Sequence, residues 1–171
     1  MTSIREYGEL IRLQKKLAKV FPSFKEQHAW LQKFRQVDAH VKTAHNPSHV
    51  LQFILAIFNT PESVEGCIVE AGAFKGGSTA KISLAAAHMN RPFYVFDSFC
   101  GLPENKEQHI KSVMGYSIQN WFDGGNFAGT LDEVKGNVQA YGNINVCEFV
   151  PGWFNETMPL FNKKLPWPIW M

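Results

Sequence analysis

Apolar residues recur along the first sixty positions at intervals of three and four, the spacing of one face of a helix. From Ile4 to Phe21 they are Ile4, Tyr7, Ile11, Leu17, Val20 and Phe21, with Arg5, Arg12, Lys15, Lys16 and Lys19 largely elsewhere on the wheel. This predicts an amphipathic helix ended by Pro22. Its basic face is either simply solvated, the plainer reading, or turned toward an acidic membrane or a partner helix. A second helix is predicted over about Lys25–Val41. A third is predicted over Ser48–Asn59, with Asn46-Pro47-Ser48 supplying turn and cap.

After Thr60-Pro61 the pattern changes to short, nearly continuous apolar runs, CIVEA (67–71), PFYVFDSF (92–99) and NVCEFV (145–150). Such runs suit strands buried on both faces, as in a parallel sheet. Helical patterns from about Ser78 to Asn90 and from about Leu131 to Tyr141 lie between them. The alternation predicts an α/β fold: the first half of a doubly wound parallel sheet preceded by N-terminal helices. Residues 1–60 read as a helical segment and 61–171 as a partial ligand-binding domain. The stretch from Gly101 to Thr130 is too long for an ordinary connection, and MGYSIQNWFDGGNFAG (114–129) has the glycine and aromatic content of a lid.

Composition narrows the function classes. With 171 residues, 45% of them hydrophobic, the chain can bury one core. A net charge of +2 gives no reason to expect a polyanion, so nucleic acid is not implied. The charge is uneven, with nine basic and four acidic residues in 1–60 against eight and eleven in 61–171. Cys67, Cys100 and Cys147 form no CxxC pair, which argues against a disulfide framework or a zinc site and for a reducing compartment. The longest apolar stretch, VLQFILAIF (50–58), is far short of the roughly 20 residues of a membrane span. The expectation is a soluble, cytoplasmic protein with no membrane partner.

The chemistry is concentrated in IVEAGAFKGGSTAKISLAAA (68–87). A buried strand runs through Glu70 into Gly72, Gly76 and Gly77, and a helix opens at Ser78 or Thr79. Glycines let a ligand approach the backbone, and a helix amino end presents free N–H groups to it. The spacing is Gly-x-x-x-Gly-Gly and not the Gly-x-Gly-x-x-Gly of a dinucleotide site, which disfavours a nicotinamide cofactor. A carboxylate at Glu70 would repel a pyrophosphate but could accept hydrogen bonds from the ammonium group of S-adenosylmethionine. The alternatives for Glu70 are a helix cap or an ion pair with Lys75. Asp97 ends the second run 27 residues later, where a carboxylate can take ribose hydroxyls.

VEAGAFKGGS (69–78), VFDSFCGLPE (95–104), the Trp121–Leu131 stretch and VPGWFNETMP (150–159) together resemble the macrocin O-methyltransferase family. That resemblance implies a class I methyltransferase fold and methyl transfer from S-adenosylmethionine to a sugar or natural-product hydroxyl. It implies cofactor contacts from Glu70, Gly72, Gly76, Gly77 and Ser78, ribose binding by Asp97 with Ser98 beside it, and adenine near Gly152 and Trp153. It also implies Mg²⁺, held in the family by an Asp-x-Asp-x-Tyr motif on a fourth strand and by later paired acids. The chain ends at Met171, where that strand is expected, so no metal ligands and no catalytic base are assigned. The expectation is an incomplete and inactive enzyme, with strand 67–71 left as an apolar edge that a homo-oligomer could cover.

Other candidates are weaker. His45 and His49 are spaced i, i+4, but Pro47 between them argues against one helix carrying a metal pair. His28, His40, His88 and His109 are scattered and read as packing or surface residues, and Asp123 reads as a loop acid. A non-catalytic binding or interaction protein is the main rival, and an NAD-type oxidoreductase is the third reading.

Overall fold

The computed structural model describes residues 4–104 and 110–163, the side chains of residues 4–10 and Gln14 excepted. The expectations for the Ile4 and Tyr7 side chains, for His109 and for the tail from Leu165 to Met171 lie outside the described residues. Three parallel strands, β1 (Ile68–Ala71), β2 (Phe93–Asp97) and β3 (Cys147–Pro151), are ordered β1-β2-β3. Among the described residues six α-helices accompany them: α1 (Ile4–Val20), α2 (Phe24–His40), α3 (Pro47–Asn59), α4 (Gly77–His88), α5 (Leu131–Tyr141) and the short α6 (Phe154–Thr157). This is the predicted first half of a doubly wound sheet preceded by helices.

The boundaries follow local chemistry. Asn46 caps α3, its side chain accepting from Ser48 N at 3.0 Å, and Pro47 occupies the first turn, where its missing N–H costs nothing. Gly76 stands before α4 at φ +83°, a left-handed conformation natural to glycine, so the helix opens at Gly77, one residue earlier than expected. Thr130 caps α5 by accepting from Glu133 N at 3.1 Å. The third run was expected as strand from Asn145, but a 3₁₀ turn over Ile144–Val146 precedes β3.

α2, α3 and α5 pack against α4, which contacts β2, and α1 packs on α3. One core runs from Leu17, Phe34, Val37 and Ile54 in the first sixty residues to Ala80, Ile82, Phe93, Val95, Val134 and Val138 in the rest. The change of pattern at residue 60 is therefore not a break in packing. On α1 the buried face is Leu13, Leu17 and the following Phe21, whereas Ile11, placed in the apolar stripe by its spacing, is exposed. The buried ammonium of Lys81 on α4 pairs with Asp38 on α2. His88 packs among the rings of Phe21, Trp30 and Phe58, His28 bonds Gln32, and His40 stacks on Tyr141, all structural roles. The opposite sheet face carries Tyr94 and Phe96, covered by Phe161 with ring centroids at 4.9 and 5.2 Å. Among the described residues no disulfide joins Cys67, Cys100 and Cys147. No helix among the described residues is long and apolar enough to cross a membrane.

The long connection between β2 and α5 is clamped at its base. Leu102 N donates to Asn126 O at 2.8 Å and Gly125 N to Leu102 O at 2.9 Å, while a side chain at Gly101 would lie 2.6 Å from Gly125 O. Gly129 lies against the Phe74 carbonyl so closely that no side chain fits there. Farther out, Ile110, Val113, Met114, Tyr116 and Trp121 are exposed.

Candidate functional site

The carboxyl ends of all three strands open into one cavity of about 520 Å³, the position at which ligands bind in open parallel sheets. Strand order arranges its walls in sequence. Above β1 lie Gly72 and the amino end of α4 with Gly77 and Ser78; above β2, Asp97 and Ser98; beyond β3, Gly152, Trp153 and Phe154. Seven of the nine expected site residues thus line a common space. Glu70 and Gly76 do not line it.

Glu70 lies behind the wall, 1% exposed, and its two carboxylate oxygens accept from the Ser78 and Thr79 hydroxyls at 2.6 Å each. Burial raises its pKa from 4.5 to about 7, with the two hydroxyl bonds opposing the shift and the negative charge of Asp97 adding to it. These bonds come from side-chain hydroxyls and not from the backbone N–H groups of α4, so Glu70 braces the helix from behind without capping it. Lys75 pairs instead with Glu133 on α5 at 2.6 Å.

The glycines divide by role. A side chain at Gly72 (φ +97°) would meet nothing within 4 Å, so its surface is open to a ligand. At Gly76 a Cβ would stand 3.1 Å from Val134 Cγ1, at Gly77 it would run into the Thr43 methyl, and at Gly152 it would stand 2.7 Å from Thr157 Cγ2. Those three glycines allow close packing of neighbouring segments, which the motif alone could not distinguish from ligand approach.

Asp97, 9% exposed, organises the floor. Its Oδ2 accepts from Ala73 N at 2.6 Å and Phe74 N at 3.3 Å, and its Oδ1 accepts from Phe99 N at 2.7 Å. A carboxylate has roughly four acceptor positions, so about one remains for a ligand. Ser98 Oγ donates to Gly101 O at 2.8 Å and shapes the next turn. Phe74 and Phe127, both at positive φ, meet edge to face over the cavity with centroids 5.8 Å apart. Non-glycine residues in this conformation are strained and cluster at functional sites.

Sequence reasoning missed the wall supplied by Thr43, Ala44 and His45, between α2 and α3. His45 was weighed only as half of a metal pair. His45 is exposed toward the open cavity, yet enough protein surrounds its ring for burial to lower its pKa, with the positive charge of His49 the second cause. Asp123 does not line the cavity. Among the described residues no three His, Cys, Asp or Glu side chains cluster to hold a metal ion.

The family model for macrocin-O-methyltransferase (TylF) matches residues 48–165, well over half of the chain. The chain belongs to the macrocin-O-methyltransferase family. A curated relative, mycinamicin III 3''-O-methyltransferase of Micromonospora griseorubida, is 27% identical over 123 residues, which cover 70% of this chain and 46% of the relative. The solved structure of the O-methyltransferase NovP superposes with a TM-score of 0.50 at 24% identity, covering 65% of this chain and 47% of that one, and supports the fold. The chain thus spans about half the length of the relatives it matches. The match takes in the loops after β1, β2 and β3, and leaves Thr43–His45 outside it.

Proposed function

We propose that this chain forms the S-adenosylmethionine-binding part of an O-methyltransferase acting on a sugar or natural-product hydroxyl. The observation that carries the reading is the shared cavity at the strand ends, with open backbone at Gly72, a nearly saturated carboxylate at Asp97 and aromatic side chains at Trp153 and Phe154. The cofactor supplies an electrophilic methyl group on a sulfonium. The residues present fit it in three parts: the amino end of α4 for the amino-acid moiety, the remaining acceptor position of Asp97 for the ribose, and the β3-end aromatics for the adenine. Glu70 enters this reading as support beneath α4.

The described residues offer no cluster of carboxylates for Mg²⁺, so the reading assigns them no metal and routes no step through one. A small-molecule hydroxyl acceptor follows from the family chemistry. Calorimetric titration of the purified chain with S-adenosylhomocysteine and, separately, with NAD tests the reading. Saturable binding of the former alone is expected, and saturable binding of NAD alone refutes it. One observation favours a non-catalytic interaction role, the exposed row Ile110, Val113, Met114 and Tyr116; co-purifying protein together with no cofactor binding would support that alternative.

A further inference from the structure

Among the described residues, two ionisable side chains line the cavity, His45 and Asp97. Asp97 is engaged by three backbone N–H groups, whereas no hydrogen bond to the His45 ring is formed among the described residues. Thr43 packs on Gly77 and donates to His45 O at 3.0 Å, which fixes the 43–45 backbone beside the amino end of α4. That helix begins at a glycine with no side-chain cap and has no acidic residue in its first turn. Its first N–H groups, at Gly77 and Ser78, are therefore free of side-chain competition and favour an anion. One end of the cavity thus combines a helix amino terminus with a titratable imidazole.

We propose that His45, in its protonated form, binds the α-carboxylate of the cofactor's amino-acid moiety, jointly with the amino end of α4, and makes cofactor affinity depend on pH. The inference rests on the cofactor reading above and assigns the carboxylate subsite to a residue outside the family match. Among the described residues, the charged groups around this end of the cavity are His49 from α3, Asp97 across the cavity, Lys42 over the Phe74 ring and Glu70 buried beneath the first turn of α4, which itself carries no acidic residue. The neighbouring positive charge and the surrounding protein disfavour an isolated imidazolium, so a carboxylate ligand stabilises the protonated form, and affinity rises as pH falls.

The test is calorimetry between about pH 5.5 and 8 with S-adenosylhomocysteine and with 5′-methylthioadenosine, which lacks the amino-acid moiety, on wild type, His45→Gln and His45→Lys. Wild type should bind S-adenosylhomocysteine about ten-fold more tightly at the acid end, the factor of one charge-assisted contact. His45→Gln should lose that gain, and His45→Lys should hold the tighter affinity across the range. Methylthioadenosine should bind the three proteins alike. Titration of Glu70 is common to all three and cancels in the comparison. A wild-type pH slope retained in His45→Gln, or an equal loss with methylthioadenosine, overturns the proposal and leaves the cofactor reading standing. Absence of S-adenosylhomocysteine binding by wild type at every pH overturns both.

Discussion

Replacing Glu70 with Gln should stabilise the protein above neutral pH and leave it nearly unchanged in acid. The carboxyl is fully enclosed beneath α4, and burial raises its pKa from 4.5 to about 7. In the unfolded chain it titrates near the lower value. Between those two values the native state retains a proton that the unfolded state has released, so stability falls as pH rises through that window. Below it both states are protonated and the penalty vanishes. The shift from 4.5 to about 7 corresponds to on the order of 3 kcal/mol at about 1.36 kcal/mol per unit. Glutamine keeps a carbonyl acceptor for one of the Ser78 and Thr79 hydroxyls and offers N–H donors to the other, without a charge to bury. Urea denaturation of both proteins at about pH 5, 6, 7 and 8 measures the effect. The wild-type midpoint should drop relative to the variant as pH rises, and the difference should level off above pH 8. Parallel curves would refute the reasoning, since they would mean that Glu70 titrates alike in the folded and unfolded chains.

Asp97→Asn should destabilise the fold by about 3 kcal/mol in urea denaturation, because charge is lost from the bonds to Ala73 and Phe99 and one N–H faces an amide donor. A loss of cofactor binding in that variant therefore counts as evidence for ribose contact only at denaturant-free stability shown by the same titration. Gly77→Ala should weaken S-adenosylhomocysteine binding by pushing Thr43 away from the cavity, and Thr43→Ser, which removes the obstructing methyl but keeps the hydroxyl, should restore it in the double variant. Failure of that rescue would show that the Thr43 contact is not what limits the site. Ile54→Ala should cost about 2–5 kcal/mol and keep a single unfolding transition by fluorescence and circular dichroism, since Ile54 belongs to the core shared by helices and sheet. Two separated transitions would show that the first sixty residues unfold on their own.

The sheet and its helices were legible because their signals are local. Continuous apolar runs marked β1 and β2 to within two residues, and Asn46-Pro47-Ser48 announced the start of α3. The site was legible where a strand end carries its own polar residue, as at Asp97 and Ser98. It was not legible where function depends on contact across the chain. Thr43 and Gly77 are 34 positions apart, and no spacing rule joins the wall at Thr43–His45 to the loop after β1. Glu70 shows the other limit. An acid at the end of a strand can face a ligand or tuck beneath the following helix, and the choice depends on whether Ser78 and Thr79 turn their hydroxyls toward it.

The clamp at Leu102, Gly125 and Asn126 makes the stretch between its two arms a cassette. Residues can be inserted, removed or exchanged there while the rim of the cavity stays where Gly101 and Gly129 hold it. Divergence among relatives can then change what the outer surface meets without disturbing the grip beneath, and the two properties are free to evolve at different speeds.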